Sequence, residues 1–185
     1  PVLLASSHPE DEFVTLSALR AADPRPLLLI APRDPHWGAE IAARVAEHGL
    51  TATRRSAGQG PTADVWIVDT FGEMGLWYRL CPASLIGGTF GATEGHNPWE
   101  PAALGSAILH GPRIANFAAD YAVLHEAGAA QAVQPEAVVA ALTADNTAMA
   151  ARAVAAVREL DAAVAREHGA DTVWVAVSHG DVIKA

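Results

Sequence analysis

The chain has 185 residues, 51% of them apolar and 18% charged, with 12 Lys+Arg against 21 Asp+Glu for a formal charge of −9. That length suits one domain and that apolar content a buried core, while the low charged fraction argues against long disorder and the acidic balance against a nucleic-acid binder. The single cysteine, Cys81, excludes an internal disulfide framework and a multi-cysteine zinc site, and is compatible with a reducing compartment.

No apolar run reaches the roughly 18 residues of a transmembrane helix. The start, Pro1-Val2-Leu3-Leu4, has no initiator Met and no basic region before its apolar part. It is not expected to be a signal peptide, and it reads as a chain cut from something longer. Residues 2–5 predict a strand that runs into Ser6-Ser7-His8-Pro9, and a helix follows from about Glu10 with an acidic first turn. Asp23-Pro24-Arg25-Pro26 breaks that helix, and the apolar run 27–31 predicts a strand covered on both faces. Trp37, Ile41, Val45 and His48 recur at helical spacing, with Gly49 as the stop. Residues 65–68 predict a buried strand, 73–80 a short helix, 83–86 a strand ending in Gly87-Gly88, and 106–109 another ending at Gly111-Pro112. Phe117, Tyr121 and Leu124 mark a helix that stops at Gly128. Pro135 opens another, with Val138 and Leu142 on its apolar edge, and a long Ala-rich helix ends near Gly169. Strands alternating with helices predict an α/β fold: a Rossmann-like parallel sheet with helices on both faces. Ligands of such sheets sit beyond the carboxyl ends of the strands, which directs attention to the loops 6–12, 31–37, 69–75, 87–100 and 110–117.

The loop from Gly87 to Pro101 holds four glycines ahead of a helix start, a pattern that lets backbone N–H groups approach a phosphate or carboxylate. Glu100 there could accept hydrogen bonds from sugar hydroxyls. The plainer alternative is an ordinary connection whose turns are set by Pro98 and Pro101. Arg33, fixed between Pro32 and Pro35, is placed to clamp a phosphate, unless it is a surface arginine paired with Asp34. Amides around Gly72 to Gly75 could cap an anion with Glu73 positioning a ligand; taken alone, a helix cap by Asp69 or Thr70 is the favoured reading. Asn116 reads most simply as the N-cap of the next helix. A Ser-His neighbour pair such as Ser7-His8 rarely has the geometry of a nucleophile and its base. The eight histidines show no metal-ligand spacing, so no metal site is expected, and His48 lies on a helix stripe.

Several of these segments resemble one family when taken in order. They are Ser6-Ser7-His8-Pro9-Glu10-Asp11-Glu12, Ala31-Pro32-Arg33, Asp69-Thr70-Phe71-Gly72-Glu73-Met74-Gly75, Leu76-Trp77-Tyr78-Arg79-Leu80, Gly87-Gly88-Thr89, Gly95-His96-Asn97-Pro98-Trp99-Glu100-Pro101 and Gly111-Pro112 with Asn116-Phe117. They closely resemble the C-terminal half of 3-deoxy-D-manno-octulosonic acid (Kdo) transferases over about residues 2–168. That resemblance implies the donor-binding domain of a two-Rossmann-domain (GT-B) glycosyltransferase. The enzyme moves Kdo from CMP-Kdo to a lipid A precursor in lipopolysaccharide synthesis, at the cytoplasmic face of the bacterial inner membrane. It implies that Arg33 meets the donor phosphate, that Gly72, Glu73, Met74 and Gly75 lie against cytidine and phosphate, and that Asn97 and Glu100 sit at the ribose and phosphate side. Ser7 and His8 would line the same cleft, with Gly88, Thr89, His96 and Asn116 as further candidates. It implies no cofactor beyond the donor substrate, no metal and no nucleic-acid partner. The general base, acceptor site and membrane anchor would belong to an N-terminal domain with no matching segment here, so this chain alone is expected to bind CMP weakly and turn nothing over.

Two departures stand out. Asp34 occupies the place of a family histidine after Pro-Arg. Residues 171–185 depart from the pattern of the donor-binding domain, residues 1–170, and resemble instead the late strand and Ser178-His179-Gly180 turn of histidine phosphatases of the phosphoglycerate mutase type. The companion Arg-His-Gly is missing, so no phosphatase activity is expected, and an exposed apolar strand there would be a liability. The competing readings are another sugar-nucleotide transferase or epimerase of this architecture, a histidine phosphatase fragment, and a non-catalytic interaction module.

Overall fold

The apolar runs of the sequence become strands with almost no face left to solvent. In the computed structural model the strands β2 (Leu28–Pro32), β5 (Ala83–Ile86) and β6 (Ala107–His110) are buried at every residue, and β1 (Val2–Ser7) at all but Ser6. The structure describes residues 1–169 together with the short strands Val177–Ser178 and Asp181–Val182, which pair antiparallel with each other. The remainder of the 171–185 tail, His179 included, lies outside the described residues.

Three shorter strands complete the main sheet: β3 (Ala52–Arg54), β4 (Val65–Ile67) and β7 (Ala130–Ala132). The order is β3-β4-β2-β1-β5-β6-β7, and every pairing is parallel. Alternate side chains of each central strand enter different cores. Leu4, Ile30, Leu85 and Leu109 pack with α1 (Pro9–Ala21), α2 (Gly38–Glu47) and, through Val138 and Leu142, a later helix on the first face. Leu3, Leu29, Ile86 and Ile108 pack on the second face with Trp77 and Tyr78 of α3 (Met74–Leu80), Trp99 and Ala102 of α4 (Trp99–Ala103), and Tyr121 and Leu124 of α5 (Ala118–Glu126). The chain closes with α6 (Val138–Thr143), which carries Val138 and Leu142, and α7 (Thr147–His168), whose Ala153 and Ala156 face the second core. The fold is thus the expected Rossmann-like α/β sheet. Among the described residues no helix is long and apolar enough to cross a membrane.

The edge strands β3 and β7 are absent from the sequence reading. Each is three residues long, and β3 is half-exposed throughout, so neither carries an apolar run to be seen.

The topology fixes where a ligand can enter. From β1 the chain builds β2, β3 and β4 on one side, then crosses to lay β5, β6 and β7 on the other. The crevice between the carboxyl ends of β1 and β5 is therefore the switch point of the sheet. The two strands close tightly there. Gly87 N–H donates to the Ala5 carbonyl at 2.7 Å, and a Cβ on Gly87 would lie 2.2 Å from the Ser6 carbonyl oxygen. The register of β1 slips between Ala5 and Ser7, and Ser6, at φ +54°, takes up the slip in a left-handed conformation.

Candidate functional site

A cleft of about 360 Å³ opens at this rim, and four of the predicted loops contribute to it, the 6–12 segment through Ser6 alone. The loop after β2 contributes Arg33 and Pro35, the loop after β4 contributes Thr70, Phe71, Gly72 and Met74, and the loop after β5 contributes His96, Asn97 and Glu100. Ser6 and Tyr78 add to the wall, as do Ala31, Pro32 and Val68 at the strand ends.

Arg33 is anchored by its backbone, whose N–H donates to the Ser7 carbonyl at 3.1 Å. Among the described residues its guanidinium makes no ion pair, so a cationic fork faces the cleft. Asp34 does not pair with it. That carboxylate accepts the His36 backbone N–H at 2.9 Å and contacts the His36 ring Nδ1 at 2.7 Å, and these bonds hold its carboxyl below the ordinary aspartate value.

The β4 loop is braced from behind. Glu73 accepts two hydrogen bonds from Arg55, Nε to Oε2 and Nη2 to Oε1, each 2.5 Å, and a third from the Thr70 hydroxyl. Arg55 first and Thr70 second lower its carboxyl from the usual 4.5 to about 2. The Glu73 side chain therefore faces Arg55, and its neighbours Gly72 and Met74 present themselves to the cleft. Gly75 lies beside Arg79 and Leu104, away from the cleft lining. Glu73 itself is the N-cap residue of α3; Asp69 and Thr70, the predicted caps, are used elsewhere.

The glycine-rich loop is organised differently from the anion cradle predicted for it. The buried carboxylate of Asp11 already occupies its amides, accepting from Gly88 N–H at 2.6 Å, Phe90 N–H at 3.1 Å and Thr89 N–H at 3.2 Å, and from His8 N–H at 3.0 Å. Burial pushes the Asp11 carboxyl up and the Gly88, Phe90 and His8 N–H groups pull against it, with burial prevailing. The Thr89 hydroxyl is likewise spent inside the fold, donating to the Ile86 carbonyl at 2.7 Å and accepting Gly111 N–H at 2.8 Å. Gly88 and Thr89 shape the site rather than line it. Beyond them, Asn97 Oδ1 accepts Trp99 N–H at 2.9 Å, an Asx turn that leads into α4, whose N-cap residue is Pro98. Glu100 is nearly fully buried at the cleft floor. Tyr78 sits within its field: burial first, and the Glu100 charge second, raise that phenol well above its ordinary value.

Two further placements depart from expectation. Ser7 does not line the cleft; its buried hydroxyl donates to Glu12 Oε1 at 2.8 Å, and Glu12 Oε2 accepts from Arg44 Nε at 2.6 Å. The slip in β1 turns Ser6 into the cleft instead. Asn116 is not an N-cap: its side chain donates to the Thr93 carbonyl at 2.6 Å and braces the glycine loop from outside. His8, predicted for the cleft, meets His96 with their Nε2 atoms 2.8 Å apart and their rings stacked at 5.1 Å. The sequence reading gives no site role to Ser6, Phe71, Tyr78 or Asp11, although each lies in a segment it singles out, and it does not include Arg55. Tyr78 could have been found from its place one turn after Met74 on the same helix face, whereas Asp11 and Arg55 act across the fold and leave no local pattern. Among the described residues no group of three or more His, Cys, Asp or Glu could hold a metal ion.

No protein-family model matches the chain. It is 40% identical over 127 residues to 3-deoxy-D-manno-octulosonic acid transferase of Bordetella pertussis, a match covering 63% of this chain and 30% of that protein. It is 39% identical over 116 residues to the Rickettsia conorii protein of the same name, covering 60% and 25%. It is 36% identical over 125 residues to a probable mitochondrial 3-deoxy-D-manno-octulosonic acid transferase of Arabidopsis thaliana, covering 63% and 28%. The chain thus spans less than a third of the length of these curated relatives. Its fold is similar to the crystal structure of the C-terminal CMP-Kdo binding domain of WaaA from Acinetobacter baumannii, at TM-score 0.77 and 27% identity over 85% of this chain and 88% of that one.

Proposed function

We propose that residues 1–170 form the donor-binding domain of a Kdo transferase, a glycosyltransferase that takes Kdo from CMP-Kdo. The observation that carries this reading is the convergence of Arg33, the 70–74 turn and the 96–100 corner on one cleft at the switch point of the sheet. Each of those segments is also a segment of the family resemblance, and the solved domain of similar fold is described as binding CMP-Kdo.

The chemistry asked of this domain is electrostatic. As the sugar leaves, negative charge builds on the cytidylate phosphate, and the Arg33 guanidinium, the one cleft cation without a carboxylate partner among the described residues, stabilises it in a recess partly shielded from water. Asn97 and the buried Glu100 offer hydrogen-bond groups to the ribose, and the 72–74 turn supports the nucleoside from the opposite wall. Attack on the sugar needs a general base near the acceptor hydroxyl. We assign that base, the lipid A precursor site and the attachment to the inner-membrane surface to the remainder of a larger protein, and no cofactor to this domain.

Calorimetric titration with CMP tests the reading. Heat of binding at sub-millimolar to millimolar CMP, with weaker competition by UMP, is the expected result. No heat with CMP at millimolar concentration would overturn it, and equal or better binding of UMP would move the assignment to a uridine-nucleotide enzyme of the same architecture.

A further inference from the structure

None of the residues lining the cleft comes from 51–64, yet this stretch holds the cleft's far wall. Three consecutive residues at the end of β3 reach across to the 69–73 loop. Arg54 Nε donates to Asp69 Oδ2 at 2.8 Å. Ser56 donates its backbone N–H to Asp69 Oδ1 at 2.9 Å and its hydroxyl to Oδ2 at 2.7 Å. Between them, Arg55 forks onto both oxygens of Glu73. The Arg55 guanidinium carbon also lies 5.7 Å from the Trp66 ring centroid and 5.3 Å from that of Trp77, and the two indoles meet edge-on at 5.2 Å.

Asp69 and Glu73 are the two ends of the loop that carries Thr70, Phe71 and Gly72 to the cleft, with Met74 directly after. An isolated, half-exposed ion pair would fix little. This one is bidentate, and its planar cation lies against two aromatic rings, so both ends of the contact lose most of their freedom. The backbone adds to the hold, since Arg55 N–H donates to the Ile67 carbonyl at 2.9 Å.

We propose that Arg55 is a positioning residue for the nucleotide: through Glu73 it sets the loop that forms one wall of the donor cleft, without touching the ligand itself. The proposal rests on the donor-site reading. A displacement of a fraction of an ångström in that wall lowers affinity by loss of preorganisation rather than by loss of a contact.

The test compares CMP affinity, by calorimetry, in the wild-type chain, Arg55→Ala, Arg55→Lys, Glu73→Gln and the Arg55→Ala/Glu73→Gln double variant, with thermal melts read in parallel. Arg55→Ala and Glu73→Gln are each expected to weaken CMP by about tenfold, and the double variant by no more than either alone, because the two groups act as one device. Arg55→Lys, which keeps the charge but not the fork, falls between. Millimolar guanidinium ion restores part of the affinity of Arg55→Ala and leaves the wild type unchanged. Wild-type affinity in Arg55→Ala, or losses that multiply to about a hundredfold in the double variant without guanidinium rescue, would overturn the proposal. If Arg55→Ala is unfolded at the titration temperature, the Lys variant decides: wild-type affinity there sinks the role of the fork. A wild-type chain that gives no heat with CMP overturns the donor-site reading and this proposal with it.

Discussion

Arg33 and Arg55 are both arginines beside the same cleft, and their surroundings give them opposite tasks. Arg55 is engaged by a carboxylate and two rings, whereas Arg33 has no ion-pair partner among the described residues and lines the cavity. A charged hydrogen bond to a phosphate is worth about 1.5–3 kcal/mol, so Arg33→Ala is expected to weaken CMP by that amount with little change in melting temperature, measured by calorimetry and a thermal melt. Glu73 leads to a prediction on pH. Its carboxyl titrates at about 2 in the fold against an ordinary 4.5, so in that interval the unfolded chain binds more protons than the folded one. The stability that Glu73 contributes is complete above pH 4.5 and drains away as pH falls toward 2. Urea denaturation of wild type and Glu73→Gln should show the wild type more stable at pH 6, with the gap closing between pH 4.5 and the lowest pH at which the fold persists.

At the scale of elements, β1 and the end of β5 approach too closely at Gly87 to admit a side chain. A methyl group on Gly87 would meet the Ser6 carbonyl oxygen, a backbone atom with no rotamer to yield. Gly87→Ala is therefore expected to cost about 2 kcal/mol or more, in the range of overpacked core sites, and to lower the melting temperature by several degrees. The central strands and long helices were legible because each carries its own pattern: an apolar run for 27–31, helical spacing for Ile41 and Val45, and a glycine stop at Gly49 or Gly128. The edge strands β3 and β7 were not, since three residues cannot display a period. The shift from Ser7 to Ser6 at the cleft was equally invisible, because it follows from a bulge in β1 that only its two neighbouring strands define.

Taken whole, the molecule is one parallel sheet between two helical layers, and its order of strands dictates which loops can meet. The sequence reading identified those loops through the strand-then-glycine or strand-then-proline punctuation at each carboxyl end, and Arg33, Met74, Asn97 and Glu100 do share one cavity. What local patterns could not convey was how the loops are held. Asp11 belongs to α1 and looks like part of an acidic first helical turn, but in three dimensions it reaches a loop some eighty positions later in the chain, and β3 reaches the β4 loop in the same way.

The Asp11 carboxylate makes the glycine loop self-sufficient. A counter-charge supplied by the chain itself neutralises dipoles that a visiting anion would otherwise have to satisfy, so this stretch of backbone is folded before anything arrives. On the donor-site reading proposed above, recognition of a nucleotide would be divided: the negative group would be met by Arg33 on the β2 rim, and the nucleoside by Asn97, Glu100 and the shape of the opposite wall. A bare inorganic oxyanion, with no nucleoside to offer, gains only the first of these and should compete poorly.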